Sequence, residues 1–217
     1  MLSAILCFAA VLVILISGEA LTRAKKIRGE VQRKFVHITG GIFAASWPWL
    51  ISWRAIQIIG IILLAGLIAN SYLKLFNYDQ DINRHSYGEF MSALAIILLA
   101  SLTTTKAFFA IAMLNLALAD GVAALAGKKF GKAWHYKIFN HSKTVVGSMA
   151  FWLASFLILS AGIMIGANSL IGFPEYLATI IILPPVLTIV ENISPSGLDN
   201  LALPLITLLG LHIAQTF

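Results

Sequence analysis

Apolar residues run through this chain in eight long stretches, and nearly all the charged residues are gathered into four short islands between them. The stretches are Leu2–Ser17, Phe35–Ile51, Ala55–Phe76, Phe90–Leu102, Ala107–Ala126, Val145–Gly166, Tyr176–Val190 and Leu201–Ala214. A membrane hydrocarbon core of roughly 30 Å takes about 20 helical residues. Most of the stretches meet that length as transmembrane helices. Phe90–Leu102, Tyr176–Val190 and Leu201–Ala214 are shorter and need tilt, or extension by their flanks. The pattern predicts an all-α, polytopic membrane bundle of about eight helices (seven to nine), folded as one domain over residues 1–217.

The islands are residues 19–34, 74–89, 120–143 and 191–200. Hydrophobic residues make up 59% of the 217 and charged residues 11%. A soluble domain carries roughly 25% charged residues, so the soluble classes are set aside. Nothing basic precedes Leu2, whereas six basic residues follow between Arg23 and Lys34. That order is the reverse of a secretory signal and predicts an N-terminus outside. With alternating spans, thirteen of the fifteen basic residues then face the cytoplasm, and only Arg54 and Lys106 lie opposite. Of the acids, only Glu175 falls on the outer side. The net charge of +6 therefore reads as membrane anchoring and orientation, with no nucleic-acid partner. Cys7 stands alone, which excludes an internal disulfide. The chemistry is expected in cytoplasmic loops at 18–34, 77–89, 127–144 and 191–200.

The first island ends in Glu30-x-x-Arg33-Lys34-x-x-His37-x-x-Gly40-Gly41. On a helix, positions 30, 33, 34 and 37 share a face. Lys34 also reads as a snorkelling residue at a span entrance. His37 at membrane depth needs a partner and marks a site. Asp120 stands in a helix of small residues, with Ala117, Ala123, Ala124 and Gly127 nearby. A lone carboxylate there costs a few kcal/mol, and the small neighbours leave room for a ligand or another helix. A metal or phosphate-linked role is the reading preferred over simple helix packing.

The third island, Gly127-Lys128-Lys129-Phe130-Gly131-Lys132 and then His141-Ser142-Lys143-Thr144-Val145-Val146-Gly147-Ser148, has the chemistry of a polyphosphate cradle. Glycines let backbone N–H groups approach, lysines neutralise, and Lys143-Thr144 opens a helix whose positive end favours an anion. A Walker A loop is absent. In the fourth island, Pro195 and Gly197 turn the chain between Glu191 and Asp199-Asn200. Hard oxygen donors beside a phosphate cradle suggest Mg²⁺. Asp79-x-Asp81 in the second island reads as a solvated loop.

Together these residues resemble the CTP-dependent polyprenol kinases, a family that includes dolichol kinase, phytol kinase and the yeast-type diacylglycerol kinase. They are distant relatives of CDP-diacylglycerol synthases. The resemblance rests on Arg33-Lys34-x-x-His37-x-x-Gly40, on Arg84-x-Ser86-Tyr87-Gly88-Glu89, and on Ala119-Asp120-x-x-Ala123-x-x-x-Gly127-x-x-x-Gly131 with Lys143-Thr144-x-x-Gly147-Ser148. Glu191, Asp199-Asn200 and Pro204 complete it. One departure is Gly121, where many relatives carry Pro.

The resemblance implies phosphoryl transfer from CTP, or another nucleoside triphosphate, to the hydroxyl of a membrane isoprenoid alcohol or diacylglycerol. It implies Asp120, Glu191, Asp199 and Asn200 around Mg²⁺. Gly127, Lys128, Gly131, Lys143, Thr144, Gly147 and Ser148 would hold the triphosphate. Arg33 and His37 would lie near the lipid alcohol, with His37 or Asp120 as its base and Lys143 among the catalytic groups. A phosphatidate cytidylyltransferase would need the same cradle and differ in releasing pyrophosphate. A transporter would need polar groups on both faces or paired broken helices, and a structural subunit leaves the carboxylate loop without a role.

Overall fold

The computed structural model describes residues 2–24, 30–73, 87–138, 141–195 and 197–217. Lys25, Lys26, Arg28, Lys74, Asp79, Asp81, Arg84, Ser86 and Ser196 lie outside the described residues, as do the side chains of Glu30, Lys132 and His141. Over the described residues each of the eight apolar stretches is helical, Phe35–Ile51 being divided between two helices. The helices are α1 (Leu2–Arg23), α2 (Glu30–Ala45), α4 (Trp53–Leu73), α5 (Gly88–Leu102), α6–α7 (Lys106–Leu114 and Asp120–Phe130), α8 (Val145–Gly166), α9 (Phe173–Ile193) and α10 (Asp199–Thr216). A single turn, α3 (Trp47–Leu50), follows α2. Pro48, in the first turn of α3, fits a helix start, because its missing N–H would be unpaired there anyway. The chain is an all-α polytopic membrane protein.

Five of these helices are long and apolar enough to cross a membrane: α1, α4, the continuous helix Lys106–Phe130, α8 and α9. Helix α9 is longer than the stretch Tyr176–Val190, because its flanks join it and it continues through Pro184 and Pro185. Helix α10 likewise gains a turn, starting at Asp199.

Helix Lys106–Phe130 is the axis of the bundle. In its most apolar window 67% of residues are buried, against 11% in α1 and 17% in α4. Its own Phe108 and Phe109 fill the core together with Trp47, Phe151, Leu187 and Leu203 of the surrounding helices. Helix α2 lies antiparallel against this axis at very close range. A β-carbon added to Gly41 would sit 2.3 Å from Ala117 Cβ, and one on Gly121 would sit 2.4 Å from Ile38 Cγ1. Small residues permit that approach, as they commonly do between membrane helices. The residue that departs from the family pattern, Gly121, is thus a packing contact.

Between Asn115 and Ala119 the axis widens into one π-helical turn, a feature often found at functional sites. The third island also differs from the plain loop expected over 127–144. The axis helix continues to Phe130, a short 3₁₀ turn spans Gly131–Ala133, and strands β1 (His135–Ile138) and β2 (His141–Thr144) pair antiparallel. Nothing in the apolar pattern signals this hairpin, because its alternation is mostly among polar side chains.

Candidate active site

The starts of α2, α8 and α10, the end of α9 and the hairpin meet around Asp120 and the helix that follows it, and the start of α5 packs against α10. Helix α2 brings Lys34 and His37 there, one turn apart on one face. Lys34 is 3% exposed and Asp120 6% exposed, and Lys34 Nζ donates to Asp120 Oδ2. His37 Nε2 lies 3.1 Å from Leu116 O and 3.4 Å from Asp120 Oδ2. Both neighbours are acceptors, so Nε2 carries the hydrogen and only Nδ1 is left to take up a proton. The π-turn lies at this contact. Asp120 N–H bonds to Ala117 O, and the carbonyl of Leu116, one turn before Asp120, accepts from His37 Nε2.

Helix α9 delivers Glu191, also 6% exposed, in its last turn. Lys143 on β2 donates to the Glu191 carboxylate and to its backbone carbonyl, the latter at 3.1 Å. Asp199 opens α10 after the turn in which Gly197 takes a φ of 91°, a left-handed conformation that favours glycine. One carboxylate oxygen from each of Asp120, Glu191 and Asp199 lies within 4.8 Å of the other two. Three carboxylates at this spacing repel one another unless cations intervene. Lys34 and Lys143 balance two of them, leaving the five groups at −1 when all are ionised. Such a set of hard oxygen donors fits a divalent cation of the Mg²⁺ type.

Asn200 is buried beside this cluster, but its amide nitrogen donates to Gly88 O at 2.9 Å. It ties α10 to the start of α5. Tyr87 and Gly88 of the second island therefore reach the site, Tyr87 being exposed there. Arg33 lies one residue before Lys34 and is half-buried.

The glycines expected in the triphosphate cradle make a close packing contact. Gly127, Gly131 and Gly147 surround Thr144. A β-carbon on Gly131 would lie 2.6 Å from Thr144 Cβ, one on Gly127 2.7 Å from Thr144 Oγ1, and one on Gly147 2.9 Å from Thr144 Oγ1. Thr144 caps α8, its Oγ1 accepting from Gly147 N–H at 3.0 Å. These residues bring α7 and α8 together so that the hairpin lands on the end of α9. Lys128 is exposed beyond them. Ser148 Oγ donates to Asn192 Oδ1 at 2.9 Å.

Three residues of the site were not singled out as functional from the sequence. Lys34 stood in the Arg33–His37 motif but had the snorkelling explanation beside it. Asn192 follows Glu191 and carried no signal of its own. Tyr136 lies on β1, whose strand character the sequence does not advertise.

The chain is 32% identical over 204 residues to a phytol kinase of Synechocystis sp., an alignment covering 88% of this chain and 82% of the relative. It is 26% identical over 222 residues to phytol kinase 1, chloroplastic, of Arabidopsis thaliana, covering 93% of this chain and 72% of that one. It is 25% identical over 217 residues to a probable phytol kinase, chloroplastic, of Triticum aestivum, covering 88% and 69%. No family profile and no solved structure matches it significantly. A relative above 30% identity, aligned along most of both chains, places this protein in the phytol and polyprenol kinase family.

Proposed function

We propose that the protein is a membrane kinase that transfers the γ-phosphoryl group of CTP to the hydroxyl of a prenyl alcohol such as phytol. The observation that carries this reading is the convergence of Asp120, Glu191 and Asp199 within 4.8 Å, beside two lysines at one end of the bundle. Family membership supports the kinase class, and the relatives' names support a prenyl alcohol as acceptor.

The reaction forms a bond between the alcohol oxygen and Pγ, breaks the bond from Pγ to the bridging oxygen, and releases CDP and a proton. Little covalent work falls to the protein, so positioning and charge neutralisation dominate. Asp120, Glu191 and Asp199 would hold Mg²⁺, with Asn200 fixing the start of α10 behind them. When bound, the cation supplies neutralisation of the triphosphate and of the charge that develops during transfer. Lys34 offsets the charge of Asp120 and holds its carboxylate in place. Lys143 does the same for Glu191 and lies where a phosphate would exchange for one of its contacts. The exposed Lys128 and the N-terminal end of α8 add positive potential on the triphosphate side. His37 offers Nδ1 to the alcohol proton, while its Nε2–H stays on Leu116 O and Asp120. The site would face the cytoplasm, with nucleotide arriving from water and the alcohol from the bilayer.

Purified protein incubated with γ-labelled CTP or ATP and a panel of phytol, dolichol and diacylglycerol tests the reading. Label in prenyl phosphate with CDP as coproduct is the expected result. Release of pyrophosphate from CTP with phosphatidate as acceptor would replace it with a cytidylyltransferase, and transfer to no alcohol would remove the kinase assignment.

A further inference from the structure

The hairpin offers a residue that the reaction as described does not use. In an antiparallel pair, residues directly opposite project from the same face. Tyr136 is opposite Lys143, and His135 is opposite Thr144. Alternation therefore divides β2 between two tasks. Thr144 turns toward the glycines of α7 and α8, and Lys143 turns, with Tyr136, toward the end of α9. There the two cross-strand partners take hold of two successive residues. Lys143 binds Glu191 through its carboxylate and its carbonyl. Tyr136 OH donates to Asn192 Oδ1 at 2.8 Å, and Ser148 Oγ, one turn into α8, donates to the same oxygen at 2.9 Å. The Tyr136 and Ser148 hydroxyls also touch each other.

The consequence concerns the last turn of α9. Helix ends fray, and Ser194 and Pro195 already lie beyond this one. Glu191 has to hold its carboxylate toward Asp120 and Asp199 from that turn. A lysine on a flexible stem fixes charge but not register, since its ammonium is a point charge with rotatable donors. The phenol is a rigid ring with a single hydroxyl, and its bond to Asn192 fixes the rotation of the turn about the α9 axis.

We propose that Tyr136 is a positioning residue for the metal site, acting through Asn192 to hold Glu191 in register with Asp120 and Asp199. This rests on the carboxylate cluster being a divalent-cation site. The three-way contact among Tyr136, Ser148 and Asn192 also assigns Ser148 to the clamp rather than to direct contact with the triphosphate.

The test uses the full chain in detergent, with Mn²⁺ alone as the probe, read by loss of the free-ion paramagnetic signal. Wild type should bind Mn²⁺, and Glu191→Gln should bind it far more weakly. Tyr136→Phe keeps the ring and removes one hydroxyl. It is expected to weaken Mn²⁺ binding about 2- to 10-fold, the range for one net hydrogen bond. Turnover should fall in parallel, with KM for the prenyl alcohol unchanged. Asn192→Ala, which removes the other end of the same bond, should weaken Mn²⁺ binding at least as much. The double variant should be no worse than Asn192→Ala alone, as coupled residues require. Thermal unfolding of each variant, shifted by less than about 4 °C, separates positioning from general destabilisation. If Tyr136→Phe binds Mn²⁺ as wild type does, or if the two losses simply add, the clamp is overturned while the metal site stands. If wild type and Glu191→Gln bind Mn²⁺ alike, the metal-site reading itself fails.

Discussion

Lys34 and Asp120 illustrate what a buried ion pair demands of single residues. Neither charge is hydrated, because both side chains are nearly inaccessible. Removing one partner leaves an uncompensated buried charge, at a cost of about 3–5 kcal/mol, whereas removing both does not. Lys34→Met is therefore expected to lower the thermal unfolding transition markedly. Lys34→Met combined with Asp120→Leu should recover most of that loss and remain inactive. A double variant as unstable as the single one would show that the pair is not the origin of the effect. Asp120→Asn alone keeps the shape and is expected to abolish phosphoryl transfer while the protein still inserts in the membrane. Lys143 is less buried, with 23% of its side chain exposed, so Lys143→Ala should disturb activity more than folding. Turnover is expected to fall about 10²-fold or more, as when a preorganised charge donor is lost, with an unfolding curve close to that of wild type.

At the scale of elements, close helix approach decides where the site forms. Gly131→Ala forces a β-carbon into Thr144 and should destabilise the protein by about 1–3 kcal/mol, with loss of activity as the hairpin shifts. Gly66→Ala is the contrasting case, since nothing lies within 4 Å of a β-carbon there. Replacing that helical glycine should stabilise by about 0.5–1 kcal/mol and leave turnover intact; denaturant unfolding of both variants checks the pair.

The contrast also indicates what the sequence could reveal. Apolar run length located every long helix among the described residues, because a bilayer sets a minimum length and penalises charge within it. Asp120, His37, Glu191 and Asp199 stood out for the same reason, each being an ionisable group where lipid or a tight turn makes one costly. Gly127, Gly131 and Gly147, whose pattern predicts a phosphate cradle, also pack around Thr144; in sequence a glycine looks the same whether a ligand or a helix approaches it. The hairpin was invisible: four-residue strands of mixed polarity give no period, and the partners of Tyr136 and Lys143 lie some fifty residues away on α9.

At the scale of the whole molecule, the axis helix measures the depth of the chemistry. Lys106 starts it at the end opposite the site, where the next residue, Ala107, packs against Gly166 of α8. Asp120 comes fourteen positions after Lys106, about 21 Å at 1.5 Å per residue, within a hydrocarbon core of about 30 Å. With Lys106 at one boundary of the core, Asp120 would lie in the third nearest the site, and Lys128, Lys129 and Phe130 would reach past the other boundary into water. That depth suits an alcohol whose hydrocarbon tail stays in the bilayer while its hydroxyl meets a soluble nucleotide at the interface. The excess of basic residues at this end predicts that it faces the cytoplasm. Cys7 is the chain's one cysteine, so its replacement by Ala gives a background for labelling. Single cysteines at Lys137 on the hairpin and at Asn168 beyond α8, both exposed, then report on opposite ends. In intact cells a membrane-impermeant maleimide should label Asn168→Cys and spare Lys137→Cys, and opening the cells should make both reactive. The opposite pattern would turn the protein over in the membrane and require its nucleotide to come from the other side.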